Sequence, residues 1–133
     1  FDVYGHIDYI LRYTPAMKRL RAEGRTDETY LNRCLNHSME IIEEILRLLI
    51  ESGHGIELNT GGLKYRMGHP NPHEKILIRY RELGGELLTV GSDAHEPAYL
   101  GYEFNRIPAL LKSCGFRYFT EYKDRRPIMY SLD

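Results

Sequence analysis

A chain of 133 residues suits one domain built around one hydrophobic core. With 42% hydrophobic residues, 28% charged residues and a net charge of −1, the composition is that of an ordinary globular protein. It excludes a dedicated nucleic-acid surface, which needs a concentrated basic face, and no apolar run approaches the ~20 residues of a membrane span. The two cysteines, Cys34 and Cys114, are far apart and outside any CxxC pair, so reduced thiols and a cytoplasmic location are expected. No secretory signal is evident. Phe1 leads straight into strand-like sequence, as expected of a piece with more chain upstream.

Phe1–Ile7 (FDVYGHI) is apolar and β-favouring and predicts a short buried strand. Tyr13 to Arg25 reads loosely, with Pro15 and Gly24 bracketing a helical turn or two. Thr26 or Asp27 then offers a helix N-cap. Leu31, Cys34, Leu35, Met39, Ile42, Ile45, Leu46 and Leu49 recur at helical spacing and predict one long amphipathic helix ending near Ser52-Gly53. Gly55–Thr60 is a strand in which polar residues alternate with Ile56 and Leu58, followed by the glycine-rich loop TGGLKYRMGHPNPH. His73–Leu83 predicts a helix with Ile76, Leu77 and Tyr80 inward, closed by Gly84-Gly85. Glu86–Val90 is a strand, Pro97–Gly101 a short turn of helix and Phe104–Ser113 a further helix. The tail FRYFTEYKDRRPIMYSL predicts two strands joined by a turn at Lys123–Arg126, with Pro127 marking an edge.

The order βαβαβα plus a hairpin implies an α/β fold with a parallel sheet, and such folds collect their chemistry at the C-terminal ends of the strands. His6 ends the first strand, Glu57 and Asn59 the second, and Asp93 and His95 follow the third in VGSDAH. Imidazole and carboxylate suit Zn, Mn or Fe. Asp93 and His95 flank a small Ala94 and point roughly the same way. D-x-H alone is also what a capped polar turn looks like, and a lone histidine at a strand end is often structural, so both readings stand. Glu57 and Asn59 could ligate a metal, orient ligands or satisfy backbone groups, and Asp8 could orient His6. Arg12 with Tyr13, and Lys64 with Arg66, bring cations near these positions, and an arginine fork beside such a cluster suits a phosphate. His69 and His73 could shape a rim.

FDVYGHIDYILRY, GIELNTGGLKYR and VGSDAHEPAYLGYEF together resemble the second half of histidinol-phosphatases of the PHP (polymerase and histidinol phosphatase) superfamily, and the resemblance covers nearly the whole chain. It implies the C-terminal half of a distorted (β/α)7 TIM-like barrel, the PHP fold, with residues 1–133 as part of a single phosphoesterase domain. It further implies metal-dependent hydrolysis of L-histidinol phosphate in histidine biosynthesis, with up to three divalent ions (Zn, Mn or Fe) in the complete domain. On that resemblance His6, Asp93 and His95 are metal ligands, Asp93 and His95 are catalytic, and Arg12, Arg66 and Tyr13 bind the substrate. The sequence departs from the family by lacking its opening H-x-H strand and the His and Glu ligands of its first half. The expected partners are therefore a small phosphate substrate and either the missing N-terminal half or a second copy, and the fragment alone is expected to be weak or inactive. A phosphoesterase for another small phosphate or nucleotide, and a non-catalytic α/β fragment, are the alternatives.

Overall fold

A computed structural model describes residues 1–133. Strands β1 (Val3–Tyr4), β2 (Gly55–Asn59) and β3 (Leu88–Gly91) form a parallel sheet in that order, with Tyr4 paired to Ile56 and Asn59 to Gly91. The first crossover carries a 3-10 turn at Tyr9–Tyr13, helix α1 (Pro15–Ala22) and helix α2 (Glu28–Glu51). The second carries the short α3 (Gly61–Lys64) and α4 (Glu74–Glu82). After β3 come 3-10 turns at Pro97–Tyr99 and Phe104–Arg106, then α5 (Ile107–Ser113) and the antiparallel hairpin of β4 (Tyr118–Lys123) and β5 (Arg126–Ser131).

Local chemistry explains most of these boundaries. Asp27, one of the two predicted caps, starts α2 by accepting the Tyr30 N–H at 2.9 Å, and Gly53 ends it at φ +70°. Of the predicted stripe, Leu31, Leu35, Ile42, Leu46 and Leu49 are buried with Ile56 and Leu58 of β2 and Ile76, Leu77 and Tyr80 of α4 in one core, while Cys34, Met39 and Ile45 pack against it partly buried. Glu43 of α2 ties down α4 through the fork of Arg79, at 2.8 Å for each oxygen. The hairpin leans on the sheet where the Leu88 N–H donates to Thr120 Oγ1 at 3.2 Å. Its turn residues Asp124 and Arg125 both have positive φ, +50° and +62°, as the tight hairpin turn demands. No helix is long and apolar enough to cross a membrane.

Several sequence expectations are corrected. The first strand is short and its residues are half-buried or exposed, because β1 is an edge strand paired only with β2. The loose segment after Tyr13 holds a full helix, α1, because Pro15 occupies its first turn and Thr14 caps it by accepting the Met17 N–H at 3.3 Å. The glycine-rich loop contains α3, whose close packing needs those glycines: a Cβ at Gly62 would lie 2.3 Å from the His69 carbonyl oxygen. The predicted Phe104–Ser113 helix is α-helical only from Ile107, where Pro108 fits the first turn. Both cysteines are free.

Candidate active site

The parallel register sends three chain segments out of the sheet at a common rim. Gly5-His6 follows β1, Thr60-Gly61 follows β2 and Ser92–His95 follows β3, with the Thr60 N–H donating to the Gly91 carbonyl at 2.8 Å. Glu57, on the central strand, lays its carboxylate between the flanking glycines. A Cβ at Gly5 would stand 3.4 Å from Oε2, and one at Gly91 only 2.2 Å from Oε1. Asn59 steadies that carboxylate by donating to Oε2 at 3.2 Å, while its own Oδ1 accepts the Gly61 N–H at 2.8 Å. Gly61 in turn sits against Asp93, since a Cβ there would be 3.9 Å from the Asp93 Cβ. Glu57 and Asn59 are thus bonded neighbours, with Asp93 just beyond Gly61.

The rim is conformationally strained. Six non-glycine residues have positive φ, and three of them are the sequence-predicted site residues His6 (+30°), Arg66 (+55°) and Asp93 (+48°). Each such residue costs roughly 1–3 kcal/mol, and such strain clusters at functional sites. The His6 ring stacks on Tyr9 with centroids 4.5 Å apart. Tyr9 also lies within electrostatic reach of Asp93. The His95 ring is exposed and faces the Asp93 carbonyl at 2.8 Å through Nδ1. A carbonyl only accepts, so Nδ1 is the donor in that contact.

Arg12 is held by rings rather than by a carboxylate. Its guanidinium carbon lies 4.4 Å from the Tyr9 ring, 4.9 Å from Tyr13 and 3.9 Å from Tyr65, and its Nε is buried without a partner. Stacking leaves the in-plane N–H groups unspent for an oxyanion. The Tyr9 and Tyr13 hydroxyls are hydrogen-bonded at 2.8 Å. That bond pushes the Tyr9 phenol up and pulls the Tyr13 phenol down, and the Arg12 charge assists the second shift. Arg66 has other neighbours: it reaches back toward Gly24 and faces Lys18 and Arg21. Tyr65 stacks on Arg12 and also lines the depression in which Arg66 lies, so one ring borders both predicted phosphate arginines.

The donor types fit a divalent cation, but their arrangement does not complete a site. No group of three or more His, Cys, Asp or Glu side chains is placed to hold a metal ion. His6, Asp93 and His95 share the rim without forming a three-donor set of their own.

Sequence reasoning missed one buried polar cluster behind the rim. Asp8 accepts from Asn71 Nδ2 at 2.7 Å and from the His73 N–H at 2.8 Å, and burial pushes its carboxyl up. Asn71 also pairs with Asn59 through the backbone, so Asp8 anchors the 69–73 loop to the end of β2. His69 is buried and donates from Nδ1 to the Pro70 carbonyl at 2.6 Å, leaving Nε2 without a partner. His73 caps α4 by accepting the Lys75 N–H at 3.1 Å. The histidines expected to shape a rim are packing and capping residues instead. The two partners of Asp8 lie more than sixty positions from it, beyond any spacing pattern.

No model of a known protein family matches the chain. It is 34% identical over 118 residues to a probable histidinol-phosphatase of Thermotoga maritima, covering 89% of this chain and 43% of that protein. It is 31% identical over 116 residues to a probable histidinol-phosphatase of Clostridium acetobutylicum, covering 87% of this chain and 40% of that protein. The chain thus spans about two-fifths of the length of the curated relatives it matches. Among solved structures it resembles the crystal structure of histidinol phosphate phosphatase from Lactococcus lactis complexed with Zn, L-histidinol and phosphate. The TM-score is 0.65 at 23% identity, over 96% of this chain and 44% of that one, which establishes a shared fold.

Proposed function

We propose that this chain is the C-terminal part of a PHP-type histidinol-phosphatase, which hydrolyses L-histidinol phosphate to L-histidinol and phosphate in histidine biosynthesis. One observation carries the reading. The chain is similar along nearly its whole length to proteins named histidinol-phosphatase, and three of its stretches leave adjacent parallel strands at one rim. His6 and Asp93 hold strained backbone there. The remaining strands of a (β/α)7 TIM-like barrel would pair with the open edge of β1, where Phe1, Tyr4 and Ile10 are exposed around an apolar groove.

In this reading His6, Asp93 and His95 give part of a donor set for divalent ions (Zn, Mn or Fe, up to three), and the other ligands come from outside these 133 residues. Arg12 and Arg66 offer N–H groups to the non-bridging phosphate oxygens as charge shifts in the transition state. Tyr13, beside Arg12, offers its hydroxyl to the same group. Asp93 accepts a proton as water attacks phosphorus, and a proton donor, His95 in its imidazolium form or a neighbouring group, protonates the departing alkoxide as the P–O bond breaks.

The test is to produce the chain together with a segment corresponding to the unmatched part of its relatives. The expected result is phosphate release from L-histidinol phosphate that a chelator and Asp93→Asn each abolish. Faster turnover of unrelated phosphate monoesters, or activity indifferent to Asp93, would overturn the assignment.

A further inference from the structure

The outer edge of the hairpin is the longest strand edge without a partner. The open edge of β1 is two residues long, and that of β5 is six. Every residue of β5 is exposed, which holds for no other strand. Ile128, Met129 and Tyr130 follow one another at 38, 40 and 41% exposure. No charged residue lies between Arg126 and Asp133. A long, apolar, uncharged edge is a template for a further strand.

The hairpin register fixes which backbone groups face outward. Lys123 and Arg126 flank the two-residue turn and form a hydrogen-bonded pair, and such pairs alternate along an antiparallel ladder. Arg126, Ile128 and Tyr130 therefore spend their backbone groups on β4. The Leu132 N–H continues the series by donating to the Arg117 carbonyl at 3.0 Å. Pro127, Met129 and Ser131 point the other way, where β5 has no neighbouring strand. Pro127 has no N–H to offer and sits at one end of this edge.

We infer that β5 pairs antiparallel with β5 of a second copy of this chain, about a two-fold axis at Met129. In that register each Met129 N–H meets the other copy's Met129 carbonyl, and each Ser131 N–H meets a Pro127 carbonyl. Every outward N–H of both strands is then satisfied, and only the Ser131 carbonyls remain for water at the ladder ends. The side chains are self-complementary as well. Ile128 lies opposite Tyr130, a pairing of β-branched and aromatic residues that sheets favour. The basic start of one strand, Arg126, runs beside the acidic end of the other, Asp133. A net charge of −1 opposes the approach of two copies only weakly. The hairpin bonds Leu88 and Asp2, at the starts of β3 and β1, whereas the candidate site lies at the strand ends. The inference therefore stands independently of the phosphatase reading.

The test is sedimentation velocity of the chain across micromolar concentrations, with amide exchange read at low and high concentration. A reversible dimer is expected, with the Met129 and Ser131 amides protected only at high concentration. Met129→Lys and Met129→Glu each place like charges opposite each other on the axis, and each should weaken the dimer at least about tenfold. An equal mixture of the two variants should associate again, because the axis then joins opposite charges. Either variant loses only the weak contact of Thr120 Oγ1 with Met129 Sδ, so circular dichroism and melting should stay close to wild type. A wild-type chain that stays monomeric, a dimer indifferent to Met129→Lys, or mixed variants that fail to associate would overturn the inference. A dimer lost in Tyr4→Lys but kept in Met129→Lys would overturn it by assigning the contact to the β1 edge. Dissociation on supplying the unmatched segment of the relatives would overturn it too, by giving that segment to β5.

Discussion

The carboxylate of Asp8 accepts a hydrogen bond from the side-chain amide of Asn71 at 2.7 Å, across 63 residues of chain. The same carboxylate takes the His73 N–H at 2.8 Å, so one side chain just past β1 fixes the loop that packs on Gly62 and leads into α4. Asp8→Ala would strand two donors, one of them fully buried, and each such loss costs about 1–3 kcal/mol. Urea unfolding at neutral pH should show a destabilisation of roughly that size or more. Asp8→Asn keeps the shape and one acceptor, and is expected to fall between wild type and Asp8→Ala. Equal stability of Asp8→Ala and wild type would show that the loop is held by other means.

His73 makes the stability of the chain depend on pH. Burial, with the nearby His69, lowers its pKa from 6.5 to about 4. Its Nδ1 accepts the Lys75 N–H, so protonation removes the cap of α4. Between those two values the unfolded chain binds the proton and the folded chain does not. Stability therefore rises with pH through that window and is lost as pH falls from about 6.5 toward 4. The slope from this single group cannot exceed about 1.4 kcal/mol per pH unit. His73→Asn, which can still cap, should flatten that part of the stability curve. A curve of unchanged steepness would assign the dependence to another group.

Much of this architecture was legible because it is periodic. The stripe Leu31, Leu35, Ile42, Leu46 and Leu49 and the alternation of Ile56 and Leu58 repeat at helix and strand spacing, and both elements appear where that spacing puts them. The positions of His6 and Asp93 at strand ends followed from the same periodicity. What was not legible is what folding alone brings together. Nothing about Tyr65 announces that its ring will lie 3.9 Å from Arg12, 53 positions earlier. Nothing in the two-residue strand Val3–Tyr4 announces an exposed edge, because burial depends on what pairs with it. Arg66, matched by resemblance to a second phosphate arginine, has left-handed backbone and lies near Gly24 and α1, surroundings that its place in the loop does not announce.

Gly91 and Glu57 form a pair whose sizes are matched. A methyl group at Gly91 would sit 2.2 Å from Glu57 Oε1, the far end of a flexible side chain. Gly91→Ala should therefore fold, but only by pushing the carboxylate off Asn59 Nδ2, to which it is now bonded at 3.2 Å. The expected cost is about 1–3 kcal/mol from overpacking. Glu57→Ala in the same chain should restore most of that loss, a coupling readable in a double-mutant cycle. Additive costs for the two changes would show that the strain falls on the β2–β3 backbone instead of on this side chain.

Arg12 separates charge from geometry most cleanly. Its three tyrosine neighbours stack on a flat cation, and on the proposed function its edge N–H groups meet two oxygens of one phosphate. Arg12→Lys keeps the charge among the rings but replaces the planar fork by a single ammonium. On the proposed function, with the unmatched segment supplied, kcat/KM for L-histidinol phosphate should fall about 10²-fold, the usual scale for losing one oxyanion donor. Folding stability should change by no more than about 1 kcal/mol, since an ammonium also binds ring faces. Arg12→Ala should lower activity at least as far and also lose the ring contacts, so its unfolding midpoint drops further than that of the lysine variant. Stability and activity falling in parallel in both variants would make Arg12 a packing residue for Tyr65. Activity lost in the lysine variant with stability retained would establish the fork itself as the group that meets the phosphate.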